Sequence, residues 1–402
     1  MSSLATSRTF TARQLAVGLV GYCAFINLYS PQSILPLLAH EFHASAAEVS
    51  NIITVSTLAV AVTAPFTGAI ADVLGRKRVI VAAMFVLVVP TLMVGLAQSL
   101  PALIFWRAIQ GLVLPPIFAV TVAYIGDEWP PREATTAAGI YSSGSSVGGF
   151  SGRLFTGLLA DLISWRAGFI ALAVIALAGA VAVAFLLPRE RGFVRSEGLA
   201  AAGRQMIAHF RNGQLVATFA VGFGVLFNFI LTFTFVSFHL AAPPYNLSAS
   251  WLGAIFVVYL AGSVLTPWTG WAVGRFGRRH FMVCVIAMWA VGLLLTLAPS
   301  LTLIILGLAI GAACGLICQA VSTAYVTTTA KAGRSSAVGL YVTSFYVGGS
   351  FGAALGGLAW SFGRWPACVG LVVAMLLVMA SIVYFGWSRG RPGVGPLAVE
   401  PP

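Results

Sequence analysis

Two arginines stand where a charge is costly. Arg107 lies in LIFWRAIQGLVLPP and Arg153 in SSVGGFSGRLFTG, runs whose other residues are mostly apolar or small. A guanidinium offers a planar fork of donors that pairs with carboxylate or phosphate oxygens through two parallel hydrogen bonds. Inside an apolar span its default reading is a functional one. The acids Asp72, Asp127, Glu128 and Asp161 all fall near the ends of runs, so mid-run charge is positive. That balance favours an anionic or neutral polar solute over a permanent cation. Asn27, Gln110, Asn228, Gln319 and Tyr325 add uncharged hydrogen-bonding groups, which serve either a ligand or the joining of one helix to another. No cluster has metal-ligand spacing, no nucleophile stands beside a base, and no phosphate-cradling Gly-x-x-x-x-Gly-Lys loop is present. An enzyme, a cofactor and a metal are therefore not expected.

The elements that position these residues are apolar helices. The chain has 402 residues, of which 59% are hydrophobic and 8% charged, where a soluble domain carries about a quarter charged. A surface in water cannot be covered with so few charges. Read with the length of helix that crosses a bilayer, roughly 20 residues, the sequence divides into twelve spans, the first at 15–37, the fifth at 136–160 and the eleventh at 335–360. The fold expected is an all-α membrane protein of two six-helix bundles. Its parts are an N-terminal bundle at 1–187, a linker at 188–212, a C-terminal bundle at 213–388 and a Pro- and Gly-rich tail at 389–402 that reads as disordered.

The net charge of +12 does not signal nucleic acid. The basic residues form short clusters between apolar runs, nearly all in alternate loops, while the other loops keep only Arg166 and Arg364. Cytoplasmic loops carry such an excess, which places both termini in the cytoplasm. The 5 cysteines lie in apolar runs and show neither zinc spacing nor a disulfide framework.

The two halves repeat at an offset of about 200 residues. GIYSSGSSVGGFSGRLFTGLLADLISW, from Gly139, aligns on GLYVTSFYVGGSFGAALGGLAWSFGRW, from Gly339, with Gly148/Gly348, Gly149/Gly349, Gly152/Gly352, Gly157/Gly357 and Trp165/Trp365 coinciding. Paired halves imply a pseudo-two-fold axis along the membrane normal and a binding cavity between them near the midplane. Arg107 and Arg153 have no charged counterpart in the second half.

These motifs resemble the major facilitator superfamily, in its bacterial twelve-helix drug:proton-antiporter or sugar-efflux form. The loop GAIADVLGRKR matches the family's signature at Gly68, Asp72, Gly75, Arg76 and Lys77, with Val73 in place of the usual basic residue. Gly75 permits a tight turn, and Gly68 is expected to let its helix approach another backbone. The resemblance implies that Asp72, Arg76 and an acid after the fourth span, Asp127 or Glu128, latch the halves in an outward-open state. Arg107, Gln110 and Gly111 match the family's fourth-helix Arg-x-x-Gln-Gly, where the arginine is implicated in coupling. Gly144, Gly148 and Gly152 match the fifth-helix antiporter signature, with Gly149 replacing its proline and Arg153 its last glycine. These small residues would pack helix on helix. Asp161, eight residues after Arg153, is expected either to pair with it or to leave it to a substrate. The function implied is proton-coupled export of a small solute across a bacterial inner membrane by a monomer with no nucleic-acid partner. The alternatives are an uncoupled facilitator or anion exchanger and, further off, a sensor that has lost transport.

Overall fold

The computed structural model describes residues 2–190, 206–330 and 333–388. Most of the linker and the whole of the tail therefore lie outside the described residues. Among the described residues nine helices are long and apolar enough to cross a membrane. One of them, Arg334–Gly386, is two rods meeting at Gly363 and Arg364, whose backbone angles are not helical. Counting it as two, and adding the first rod and the Gly- and Ser-rich fifth, gives twelve.

The rods are α1 (Ser2–Leu28), α2 (Ala46–Leu74), α3 (Arg76–Gly95), α4 (Leu100–Glu128), α5 (Pro131–Leu162) and α6 (Trp165–Leu186). In the second half they are α7 (Gly213–Ala241), α8 in pieces (Ala249–Ile255, Val258–Leu265 and Thr269–Phe276), α9 (Arg278–Leu295), α10 (Leu301–Thr329), and α11 and α12 as the arms of the broken rod, 334–362 and 365–386. The end of the molecule carrying Arg76, Arg278 and Arg334 is called the basic end below, and the opposite end the far end.

The first span departs from its expected form. A single helix over 15–37 is not found: α1 stops at Leu28, a 3-10 turn covers Ser30–Ser33, and a short helix runs Leu35–Glu41. Pro31 and Pro36 explain the break, since each removes a backbone donor that a continuous helix would use.

The repeat in the sequence reappears as a repeat in packing. Within the first half α5 lies on α1, and a methyl added to Gly144, Gly148 or Gly152 would collide with the backbone of Gly18, Tyr22 or Ile26. In the second half α11 lies on α7, where Gly348 and Gly352 meet the backbone of Phe223 and Phe227 in the same way. Lipid tails are as apolar as leucine, so close backbone approach through small residues is what holds such helices together. Two expected packing glycines behave otherwise. Gly149 faces the Arg153 guanidinium, with Nη1 3.5 Å from the position of an added Cβ, because it is one residue off the face that Gly148 and Gly152 share. Gly68 approaches nothing within 4 Å, because its part of α2 lies at the open basic end.

Between the halves, α5 packs on α8 and α2 on α11. Toward the far end these contacts are tight. Gly157 abuts the Ala249 backbone and Gly357 the Ala47 backbone, and the Thr57 and Ser350 hydroxyls are 2.9 Å apart. At the basic end, Gly139, Gly270, Gly274 and Gly339 meet nothing within 4 Å, and Trp268, Trp271 and Phe276 of α8 are exposed.

Candidate functional site

The two arginines sit beside the break in the first span, on opposite sides of it. The break leaves the last carbonyls of α1 without the amide donors a continuing helix would supply. Arg107, fully buried on α4, supplies them: Nη1 donates to Asn27 O at 3.1 Å and Nη2 to Leu28 O at 2.5 Å. A cation at a helix C-terminus also complements the helix dipole. Nη1 further donates to Gln110 Oε1. Gln110 in turn donates to Thr91 Oγ1 at 2.8 Å, and Thr91 to Asn27 Oδ1 at 3.1 Å. Asn27 closes the chain by donating to Cys23 O at 2.8 Å. Arg107, Gln110 and Asn27 thus form one network inside the first half, and only Arg107 Nε is left without a partner.

Arg153, 3% exposed on α5, is held differently. Nε and Nη2 both donate to Gln32 Oε1, at 2.8 and 2.7 Å, and Nη1 donates to Gly149 O at 2.5 Å. Its guanidinium lies 4.3 Å from the ring centre of Phe256, 5.1 Å from that of Tyr259 and 5.0 Å from that of Tyr29. Phe256 and Tyr259 belong to α8, in the other half. Gln32 also crosses, donating to Thr234 Oγ1 of α7 at 3.1 Å. A desolvated cation over aromatic faces gains about 2 kcal/mol, so this contact is one the molecule must give up whenever α8 leaves α5.

The expected pairing of Asp161 with Arg153 does not occur. The Asp161 carboxylate accepts from the backbone N–H groups of Ala249 at 3.2 Å and Ser250 at 2.8 Å. It therefore closes the start of α8 from across the interface. Spacing along α5 placed the two charges on one face, but Arg153 bonds to Gln32 and Gly149 of its own half and Asp161 to the backbone of the other.

The remaining candidates scatter. Asn228 turns into its own half, with Nδ2 3.3 Å from Met379 Sδ and Oδ1 buried without a partner. Tyr325 is not mid-span: its hydroxyl joins Gln214 Oε1 and Ser388 Oγ, each at 3.0 Å, at the basic end. Gln319 is half-buried on α10.

The loop between α2 and α3 turns on Gly75, whose φ is +92°, a region open chiefly to glycine. Arg76 pairs with Asp72 at 3.6 Å and with Asp127, and donates to Ala123 O at 2.6 Å. Glu128, the other acid, goes to Arg13 of α1, with N–O 3.5 Å. One participant had no sequence signal. Glu190, just past α6, accepts from Lys77 N at 3.3 Å, and any side chain at Gly75 would strike it. It is an acid inside an arginine-rich connector, where composition points only to topology.

With this geometry in view, comparison with known proteins places the chain. The Major Facilitator Superfamily model matches residues 17–258 and 236–401, and the chain belongs to that superfamily. It is 33% identical over 373 residues to the inner membrane transport protein YnfM of Escherichia coli K12, covering 92% of this chain and 88% of that one. In fold it is similar to the nucleoside transporter NupG, with TM-score 0.75 and 15% identity over 92% of this chain and 98% of that one. It is also similar to a bacterial homologue of the human lysosomal transporter Spinster in an inward-facing, unoccupied conformation, with TM-score 0.72 and 16% identity over 94% and 97%. The protein is a multi-pass membrane transporter of the major facilitator fold.

Proposed function

We propose that this transporter is a proton-coupled exporter of a small anionic or neutral organic solute, working as a monomer in a bacterial inner membrane with its basic end in the cytoplasm. It would then stand in the drug:proton-antiporter or sugar-efflux branch. The solute binds between the two halves, 1–187 and 213–388, and the halves rock about it. The orientation is supported by the arginine-rich loops gathered at one end. The state described is then inward-facing: α5 and α8 meet at the far end, while glycines at the basic end touch nothing across the gap.

The observation that carries the reading is Arg153. It is a buried cation of one half with two of its three aromatic partners, Phe256 and Tyr259, in the other. When the far end opens, Phe256 and Tyr259 withdraw with α8 and the guanidinium is left facing the gap. A buried guanidinium needs a new partner there, and an oxyanion or a polar oxygen of the solute supplies it. Arg107 is fixed to α1 in either state, so Arg153 rather than Arg107 leads as the substrate and coupling residue. The cluster of Asp72, Arg76 and Asp127 lies within one half here and becomes the cytoplasmic latch in the opposite state.

The test is solute flux in proteoliposomes with an imposed pH gradient, across cationic, neutral and anionic compounds. An anionic or neutral solute should move against its gradient at the expense of protons. If the gradient drives no flux and solute addition releases no proton, coupling is refuted. A marked preference for quaternary ammonium compounds would refute the charge assignment.

A further inference from the structure

Four rod ends at the basic end of the second half border an open cleft of about 780 Å³. Its walls are the starts of α7 (Asn212, Gln214) and α9 (Arg278) and the ends of α10 (Thr328, Thr329) and α12 (Ser388). All four rods belong to one half, so the cleft is separate from the gap between the halves. Among the described residues that line it there is no carboxylate.

Arg278 is the charge in this cleft. Its guanidinium carbon stands 4.4 Å from the ring centre of Tyr325, and among the described residues its donors make no hydrogen bond or ion pair. Tyr325 is a fixed platform, because its hydroxyl is tied to Gln214 and Ser388. The donors of Arg278 therefore lie in a polar recess with no acceptor bonded to them among the described residues, beside Thr329 and beside Thr328, whose hydroxyl donates to Ala324 O and Tyr325 O. Gly213, at the first position of α7, has open space above it. Trp387, between two lining residues, is 2% exposed with its indole N–H unpartnered.

Depth identifies the ligand. The apolar spans begin at Gly213 and Arg278 and end at Thr329 and Gly386. The cleft therefore lies where hydrocarbon gives way to headgroups, and the Tyr325–Trp387 pair, with ring centres 4.6 Å apart, is the aromatic kind that marks that level. An unpaired guanidinium with hydroxyls at this depth suits a phosphate oxyanion, and basic pockets between spans on the cytoplasmic side take acidic headgroups. We propose that the cleft is a headgroup site for an anionic phospholipid, whose phosphodiester oxygens lie on Arg278 with the Thr329 hydroxyl beside them.

Native mass spectrometry of the full chain in detergent, with phosphatidylglycerol and phosphatidylcholine offered together, tests this. The wild type should retain phosphatidylglycerol over phosphatidylcholine by about tenfold, and Arg278→Gln should abolish that preference. Arg278→Lys should keep part of it, since a point charge replaces a fork. Arg364→Gln, at the far end, should leave it intact. If Arg278→Gln does not fold, Thr329→Val carries the same expectation at about threefold. Undiminished preference in the folded Arg278 or threonine variants overturns the proposal. So does displacement of phosphatidylglycerol by millimolar inorganic phosphate, which would make a soluble anion the occupant.

Discussion

Arg107 and Arg153 lie at similar depth in neighbouring rods, and both are buried, yet they are held by opposite kinds of partner. Arg107 is bonded to carbonyl and amide oxygens of its own half. Those partners close a helix end that the proline-broken first span would otherwise leave bare, so the bonds persist however the halves move. Arg153 has its amide and carbonyl partners and the Tyr29 ring in its own half, and the Phe256 and Tyr259 rings in the other. A cation held across a moving interface reports on the movement, whereas one held within a rigid body does not. Depth and charge, which a sequence reveals, therefore do not separate a structural arginine from a coupling one. The proposed division of roles rests instead on which half owns the partners.

This contrast can be broken most forcefully at Arg107. Arg107→Ala should leave Leu28 O without a donor and Asn27 O with only the Ser30 hydroxyl, strand the amide oxygen of Gln110, and unfold the first half locally. Leaving buried acceptors without donors costs about 1–3 kcal/mol each, so the yield of monodisperse protein in size-exclusion chromatography should collapse, and Arg107→Lys should rescue it only in part. Arg153→Ala should instead leave the yield near wild type. The loss of about 2 kcal/mol from the closed far end should raise the population open at that end by roughly thirtyfold, read as the rate at which a cysteine placed at Ser250 is alkylated by an impermeant reagent from the far side. Should Arg153→Ala unfold the protein and Arg107→Ala only shift accessibility, the assignment of roles is reversed. A finer version removes the cage and spares the cation: Phe256→Ala should shift the same alkylation about fivefold, a share of the cation–π energy. The smallest effect is expected at the rim. Asp161→Asn keeps oxygen on the amides of Ala249 and Ser250 but removes the negative charge from the start of α8, which at an exposed helix N-terminus is worth about 0.5–1 kcal/mol, or two- to fivefold in the same measurement.

Much of the architecture was legible in the residues because it depends on local pattern. The apolar runs set the rods, and the glycines spaced by four at Gly144, Gly148 and Gly152 lie on one helix face, which is the face that meets α1. The offset of 200 even matched the glycines that do equivalent work in the two halves, Gly157 against Ala249 and Gly357 against Ala47. The site was less legible, because its contacts join residues far apart in the chain. Asp161 shares a face with Arg153, but the N–H groups it binds lie some 88 residues further on. Tyr325 lies in the same apolar run as Gln319, and only the ends of the neighbouring rods show that its hydroxyl is at the basic end. The pinning of Gly75 by Glu190 carries no periodicity at all.

That last contact fixes where the described chain leaves the first half. Past the end of α6 the chain remains fastened to the first half, first where Pro188 O accepts from the Tyr124 hydroxyl at 3.0 Å and then at Glu190. Two successive fastenings, on α4 and then on α3, therefore hold the described start of the connector, 188–190, to the first half. Extra residues spliced in ahead of Pro188 would tear the chain from its moorings on α3 and α4.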